Sequence, residues 1–524
     1  MEVLHSLSRP RFLVFVVTCA VLLRLPALIL PIIDTDEAGH GVCARELLEG
    51  GRLYVDYADN KPPLLYWIYT AVMAIGGRSV LAVHWVGLAW ILVGAWATGL
   101  LVLRTGFGND ARRWAVLAYI VGSSVYLPND MLATNGEQLM NPFLVLAVLA
   151  WWDGRRPLLS GILAGLLGFA GGLCYQKGWI VLPVLGAWGL WRMARTPERR
   201  DWLTRLAGLA GGGVLGTGAV GAILAGQGVL DEALYWNFGS NLRYIGAGSG
   251  IASFSLEDAQ PHGTIRVAFY VLANLLPLRA IWMGFRHGWG SFTARQRDLL
   301  AFLLIWLGAS FAALSLGGRY FGHYFLQTVP AWSALFGVTF PLVAQRVDPK
   351  RFRRLLRSGF PLAGLAVFSL AWVAIGGLES QHPLLRDLAM HASSHTHPGD
   401  RIFVWGYASP VYYYADRQPG ARFVYPQSLA GYVPGVPSSL RQDTDPLPFV
   451  VWKNWPIALE DLRAKRPAII YDTAPARFHY WGKFPVSLYP LGAMLDSLYA
   501  PVDAIGGVVA YQRIHGIPLT SEAD

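Results

Sequence analysis

The stretch IIDTDEAGHGVCARELLEGGRLYVDYADNKPPLLYW, residues 32–67, decides how the rest of the chain is read. It follows an apolar run, 12–33, that is long enough to cross a bilayer, which takes roughly 20 residues. Three carboxylates, Asp34, Asp36 and Glu37, stand where that run ends. The pattern predicts a helix over 37–49, stopped by Gly50-Gly51. The acids therefore sit at a helix N-terminus, where the dipole favours negative charge. Two readings stand side by side for them: caps of that helix, or a general base and an electrostatic partner for a developing cation. Lys61-Pro62-Pro63 follows, and its prolines fix the backbone around Lys61. Lys61 reads either as a snorkelling lysine at lipid headgroups or as a phosphate ligand. The next apolar run, LLYWIYTAVMAIG (64–76), is too short to span and fits an interfacial or re-entrant helix.

Outward from this stretch the chain is solvated largely by lipid. Of 524 residues, 54% are apolar and 15% charged, although the net charge is +10 and the pI about 9.5. A nucleic-acid groove needs Lys and Arg clustered on a mostly polar surface. With far fewer charges than the ~25% of an average protein, the chain offers none, so no nucleic-acid partner is expected. The 21 Trp, 58 Gly and mean hydropathy of +0.38 fit a membrane protein. Abundant aromatics exclude disorder, and the lack of a Gly-X-Y period excludes collagen. Cys19, Cys43 and Cys174 cannot build a disulfide framework.

Apolar runs at 12–33, 79–103, 114–128, 138–152, 158–175, 178–191, 206–226, 267–285, 299–317, 321–345 and 359–378 predict an α-helical polytopic membrane protein with about eleven transmembrane helices. The first is too long for a signal-peptide core and lacks a small-x-small site before Asp34, so it reads as an uncleaved span. Arg9 and Arg11 hold the N-terminus in the cytoplasm, and Asp34 then emerges outside. Arg104, Arg112 and Arg113 belong inside again, which leaves room for one span, 79–103, and none for 64–76. With this parity the inner loops hold 21 Lys and Arg, and the outer loops before residue 379 hold 8. That is the asymmetry the positive-inside rule requires. Residues 1–378 carry +11 and residues 379–524 carry −1, so the basic pI records topology.

Past residue 378 no span follows. A helix near 384–392, strands at 401–405, 422–426, 468–472 and 507–513, and a helix near 456–465 predict a C-terminal extracytoplasmic α/β domain over 379–524. The membrane part, 1–378, carries the candidate active site in its outer loop 34–78.

Other candidates lie in outer segments. Glu137, in NGEQLMNP, either faces the same cavity as Asp36 or is a first-turn acid favoured by the helix dipole. Lys177 in YQKG and Arg319 in GRYFGHYFLQTVP adjoin span ends, as boundary cations or as phosphate ligands. His323 and Tyr324 either hydrogen-bond a substrate or are polar tips at the interface. HASSHTH (391–397) has a metal-like spacing, but its polar surroundings and Pro398-Gly399 favour a solvated turn. The aromatic and polar loop 227–266 lies over the site or on headgroups. No P-loop, dinucleotide fingerprint or serine-hydrolase elbow occurs.

The D-E pair after the first span, the helix ending A-R-E-L-L-x-G-G and the K-P-P-L-x-Y-W that follows resemble the GT-C glycosyltransferases of family 39. That family includes protein mannosyltransferases and the bacterial aminoarabinose transferases. The resemblance continues at NGEQ, YQKG, GRYFGHYFLQTVP, WGY (from Trp405) and RFVYP (from Arg422). It implies transfer of a sugar from an undecaprenyl-phosphate-type polyprenyl-phosphate donor to a lipid, glycan or protein hydroxyl, with inversion, on the outer face of a bacterial plasma membrane. Asp36 matches the family's catalytic acid, with Glu37 and Glu137 beside it as catalytic candidates. Lys61, Lys177 and Arg319 would neutralise the leaving phosphate. Asp34, His40, His323 and Tyr324 are the substrate-binding candidates. The chain departs from the pattern at Asn60, where the aminoarabinose enzymes carry an acid, and at His40, where they carry Tyr. No cofactor is indicated; a divalent ion at Asp34 and Asp36 is the one metal reading the residues leave open.

Two other classes compete. A transporter or flippase of lipid-linked sugars would place ionisable groups near the midplane and show inverted repeats. Here only Arg24 and Arg279 are basic residues inside spans, and no repeat is visible. A non-catalytic binder of such lipids is the third reading, against which the intact D-E and K-P-P argue.

Overall fold

The structure of the protein, a computed structural model, describes residues 8–152, 156–242, 261–434 and 445–514. Part of the 227–266 loop, residues 243–260, lies outside them. Two compact units are present. One holds the described residues of Met1–Pro31, Lys61–Leu230 and Phe254–Leu378; the other holds those of Ile32–Asn60, Asp231–Ser253 and Glu379–Asp524. The acid-bearing segment thus belongs with the C-terminal part of the chain.

The first unit is helical. Each apolar run read as a span has a helical body: Arg9–Arg24, Val80–Arg104, Gly108–Gly122, Gly136–Trp152, Pro157–Cys174, Val181–Arg195, Arg199–Gly226, Leu275–Gly288 after Pro261–Ala273, Ala294–Ser315, Val329–Arg346 and Phe360–Ala374. Among the described residues, six helices are long and apolar enough to cross a membrane alone. A seventh counts if Gly263–Ala273 and Leu275–Ser291, bent by 60°, form one span. The other helical bodies run only 15–17 residues. Pro63–Ile75 is a 13-residue helix, short as expected. The segment Gly322–Arg346 has 94% of its apolar window buried, against 11% for Pro349–Gln381, so the first is a hub and the second an outlying helix.

Glycines set the tightest helix contact. Pro157–Cys174 lies against Arg199–Gly226. A Cβ at Gly161, Gly165, Gly208 or Gly212 would run into backbone of the opposite helix. Lipid supplies no hydrophobic drive between helices, so close backbone approach holds such pairs. Arg24, buried in the first span, donates to the carbonyls of Met131 (2.7 Å) and Leu132 (2.6 Å), and Gln138 donates to Met131 as well. A cation inside a span therefore satisfies the last carbonyls of the five-residue helix Pro128–Leu132, which a helix end leaves open.

The second unit carries a mixed sheet of β1 (Arg401–Trp405), β2 (Gln418–Pro419), β3 (Ile469–Asp472), β4 (Tyr499–Ile505) and β5 (Val508–Arg513), in the order β2-β1-β3-β5-β4. β1 is parallel to β2 and β3, and β5 runs antiparallel to β3 and β4. Apart from Arg401 and Asp472 at their ends, RIFVW and IIYD are apolar, and they are buried along nearly their whole length, as parallel strands covered on both faces are. Gly506 and Gly507, both at positive φ, close the β4–β5 hairpin. Trp405, Trp455, Trp481, Phe484 and Tyr489 form the core, and Trp405 Nε1 donates to the Phe484 carbonyl.

One expectation fails here and a second holds only in part. Residues 422–426 are not a strand, because their polar groups are used elsewhere. Arg422 gives its N–H and guanidinium to Asp461, and its carbonyl accepts from Ala58 N–H. The segment ties residues 32–60 to the domain instead of extending the ladder. HASSHTH is a solvated turn only in its last residues, where the chain leaves the helix Pro383–His395 toward Pro398-Gly399; His391 and His395 end that helix and stack at 4.1 Å, and His391 Nδ1 lies 2.8 Å from the Tyr471 hydroxyl. Glu46 completes the tie, since both its oxygens accept from Arg401, each at 3.0 Å, a bidentate, charge-assisted pair.

Candidate active site

In the second unit the acids head the helix Thr35–Leu48. Asp34 is its N-cap, accepting from Glu37 N–H at 2.7 Å. Glu37 accepts from Ile33 N–H at 2.9 Å and is fully buried. Asp34 thus satisfies a backbone donor that the helix start leaves open, and Glu37 one in the chain just before it. Asp34 is the cap expected, but buried rather than solvated. His40 is buried one turn on. Asp36 differs: from Ile32 to Ala44 it is the one residue that is not buried.

Asp36 is aimed by the sheet. β1 ends at Trp405, and Gly406 passes so close to Thr473 that a Cβ would overlap its hydroxyl. Tyr407, next in line, donates to Asp36 Oδ1 at 2.8 Å. The carboxyl end of β1, where the chain turns to β2 on one side and β3 on the other, is the topological switch point at which α/β sheets place ligand-binding groups. Tyr425 donates to the carbonyls of Thr35 (2.8 Å) and Asp36 (3.3 Å) and occupies the space that Gly39 leaves open. Burial, then the Asp36 charge, push the Tyr407 and Tyr425 phenols well above their ordinary pKa. Tyr407 is thus a neutral donor that fixes the carboxylate. The sequence shows WGY and RFVYP but does not reveal that their tyrosines meet Asp36. An apolar strand followed by Gly-Tyr was the available signal.

The first unit gathers five predicted residues: Glu137, Lys177, Arg319, His323 and Tyr324. Lys177 lies in the turn Gln176–Ile180, with its backbone carbonyl taken by Gln327 Nε2 at 3.0 Å. Its Nζ sits 3.0 Å from the centre of the Tyr324 ring and makes no hydrogen bond among the described residues. Burial pulls this ammonium below the usual lysine range; Glu137 works against that shift and Arg319 adds to it. Arg319, 2% exposed, is likewise lowered by burial and supported by Tyr324 and Tyr175. His323 Nδ1 lies 2.8 Å from Asp130 Oδ1, and its Nε2 lies 3.9 Å from Glu137 Oε1. Asp130 is an addition to the predicted set; it also accepts from His323 N–H. A buried ammonium over the Tyr324 ring, with the buried Arg319 guanidinium in the same unit, is an arrangement that can hold a compact anion, because desolvated charge is strong charge. Lys61, half-buried, immediately precedes Pro62, the N-cap of Pro63–Ile75. Among the described residues no group of three or more His, Cys, Asp or Glu is arranged to hold a metal ion.

No family model matches the sequence, and no curated protein does. Solved structures do match. ArnT from Cupriavidus metallidurans bound to undecaprenyl phosphate superposes with a TM-score of 0.61 at 13% identity, over 97% of this chain and 99% of that one. Its apo state gives 0.56 at 14% identity, over 96% and 98%. The Archaeoglobus fulgidus oligosaccharyltransferase in its apo form gives 0.57 at 13% identity, over 97% and 75%. The fold of this multi-pass membrane protein is therefore the one these GT-C glycosyltransferases share.

Proposed function

We propose that the protein is an inverting membrane glycosyltransferase that moves a sugar from a polyprenyl-phosphate donor to an acceptor hydroxyl. The carrying observation is Asp36, a single presented carboxylate held by Tyr407. The cation pair Lys177 and Arg319 and a fold shared with a protein bound to undecaprenyl phosphate support it. In the reaction Asp36 takes the acceptor's proton as its oxygen attacks the anomeric carbon. The bond from that carbon to the phosphate oxygen breaks, and the polyprenyl phosphate leaves with the electron pair. Lys177, Arg319 and Lys61 neutralise the charge that grows on the leaving phosphate. Glu37 and Asp34 hold the helix that carries Asp36; Glu137 and His323 orient the cationic side, and Tyr324 backs Lys177. His40 shapes the helix behind Asp36.

The charge asymmetry of the loops supports a cytoplasmic N-terminus and an extracytoplasmic 379–524 domain, in a bacterial plasma membrane. Transfer from a synthetic undecaprenyl-phosphate sugar by the purified protein tests the assignment. Asp36→Asn is expected to lose about 10²–10⁴-fold in rate, and Lys61→Ala to lose donor turnover. Full activity in both variants would remove the assignment.

A further inference from the structure

The segment Tyr235–Ser240 of the second unit forms a π-helical turn, a rare geometry that recurs at functional sites. Its Tyr235 and Trp236 line a pocket together with Phe423 and Tyr432. Tyr425, which binds the Thr35 and Asp36 carbonyls, belongs to the same wall. Tyr407, the donor to Asp36, lies 6.2 Å from Tyr432, ring centre to ring centre. The pocket is therefore one side chain away from the carboxylate.

Its lining has two kinds of surface. Aromatic faces make up one kind. Asn60, Gln427, Ser428 and Asn454 supply the other. Asn454 Nδ2 donates to Ser428 Oγ at 3.1 Å, and Asn60 exchanges amide hydrogen bonds with Asn241. Gln427 Oε1 is buried with no hydrogen-bond partner among the described residues, an acceptor that a bound hydroxyl would satisfy. Among the described residues no Lys, Arg or His lines the pocket, and the one charged residue in its lining is Asp59. An anionic group would meet the Asp59 carboxylate in the wall, while the Lys453 ammonium is held over the Tyr235 ring, 3.7 Å from its centre. Flat apolar faces beside fixed amides match a pyranose ring, whose C–H face is apolar and whose rim is all hydroxyl.

Resting on the transferase reading above, we propose that this pocket seats the acceptor and that the acceptor presents a neutral carbohydrate ring, one of whose hydroxyls gives its proton to Asp36. The new bond joins that oxygen to the donor's anomeric carbon, and the carrier phosphate departs with the electrons of the broken bond. The acceptor is then a glycan, not a phosphate group or a peptide side chain.

Saturation-transfer NMR on the full-length protein in nanodiscs tests this. The probes are the methyl glycosides of glucose, galactose, mannose and N-acetylglucosamine, with glycerol 1-phosphate and an acetylated Ser-Thr peptide as contrasts. At least one glycoside is expected to bind, and Trp236→Ala to weaken it by about tenfold or more, as loss of a stacked ring does. Gln427→Ala, a smaller change at a partly exposed side chain, is expected to weaken it too. Binding that is unchanged in both variants, or preference for the phosphate or the peptide, overturns the proposal. Release of polyprenyl phosphate from the donor in water is measured in parallel on the wild type. If it proceeds while no glycoside binds, the carbohydrate pocket is wrong and the transferase reading stands. If glycosides bind and the donor is never cleaved, the transferase reading falls, and the acceptor role with it.

Discussion

Asp36 owes its position to two tyrosines more than 370 residues away in sequence. Tyr407→Phe deletes the hydroxyl that holds Oδ1 and leaves the ring. A hydrogen bond to a charged group is worth about 1.5–3 kcal/mol, so the transfer rate is expected to fall about 10- to 100-fold with little change in thermal stability, read from steady-state kinetics beside a melting curve. Lys177 gives a pH prediction. In the proposed reaction its ammonium is the phosphate-binding form, and burial lowers its pKa. The charge is therefore present at low pH and lost as pH rises, at a pH below the usual lysine range. The kcat/KM for donor, which reports the free enzyme, is expected to fall on that alkaline side. Lys177→Arg should move the fall to higher pH, because guanidinium stays charged. At this scale the sequence was informative about residue types: Asp36, Lys177 and Arg319 stand out as polar groups at the ends of apolar runs. It was silent about which acid is presented. Asp34, Asp36 and Glu37 are chemically alike in a string, and only the helix start sorts two into capping and one outward.

Elements were legible where periodicity or apolar runs are strong. β1, β3 and β5 and the helices Pro383–His395 and Asn454–Lys465 lie where the pattern puts them. β4 was missed because YAPVDAI carries a proline and an acid and is exposed along most of its length. Residues 422–426 read as a strand because an aromatic and a β-branched residue favour one, while long-range partners claim their backbone. Gly161-x-x-x-Gly165 and Gly208-x-x-x-Gly212 were equally visible and mark the seam between Pro157–Cys174 and Arg199–Gly226. Gly212→Leu puts a side chain into the backbone around Ile162. It is expected to abolish the monodisperse peak in detergent size-exclusion chromatography, whereas Gly213→Leu, with open space at its Cβ position, should elute as wild type. Arg24→Met strips the clamp from the Leu132 carbonyl and leaves the Met131 carbonyl to Gln138 alone. Each buried group left unsatisfied costs about 1–3 kcal/mol, so the melting midpoint should drop by several degrees.

Across the whole molecule, charge placement carries the proposed orientation. A single cysteine at Ser497, exposed in the second unit, is expected to react with a membrane-impermeant maleimide in intact spheroplasts. One at Lys350, exposed in the basic helix Pro349–Arg357 of the first unit, should react only after lysis. Cys43 and Cys174 are buried and Cys19 is partly buried, so the native background is low. The reverse pattern would invert the topology. The second unit is also assembled from three separated pieces of chain, and this has a consequence in time. Asp36 leaves the ribosome 371 residues before the tyrosine that holds it. At about 5–20 residues per second, that interval is on the order of 20–70 s. Through that interval the carboxylate exists without its hydroxyl donor, beside spans already entering the membrane. On the proposed function a half-made chain carries an unset acid, competence for transfer would come only when the last domain folds around the first loop, and synthesis itself would guard against premature reaction.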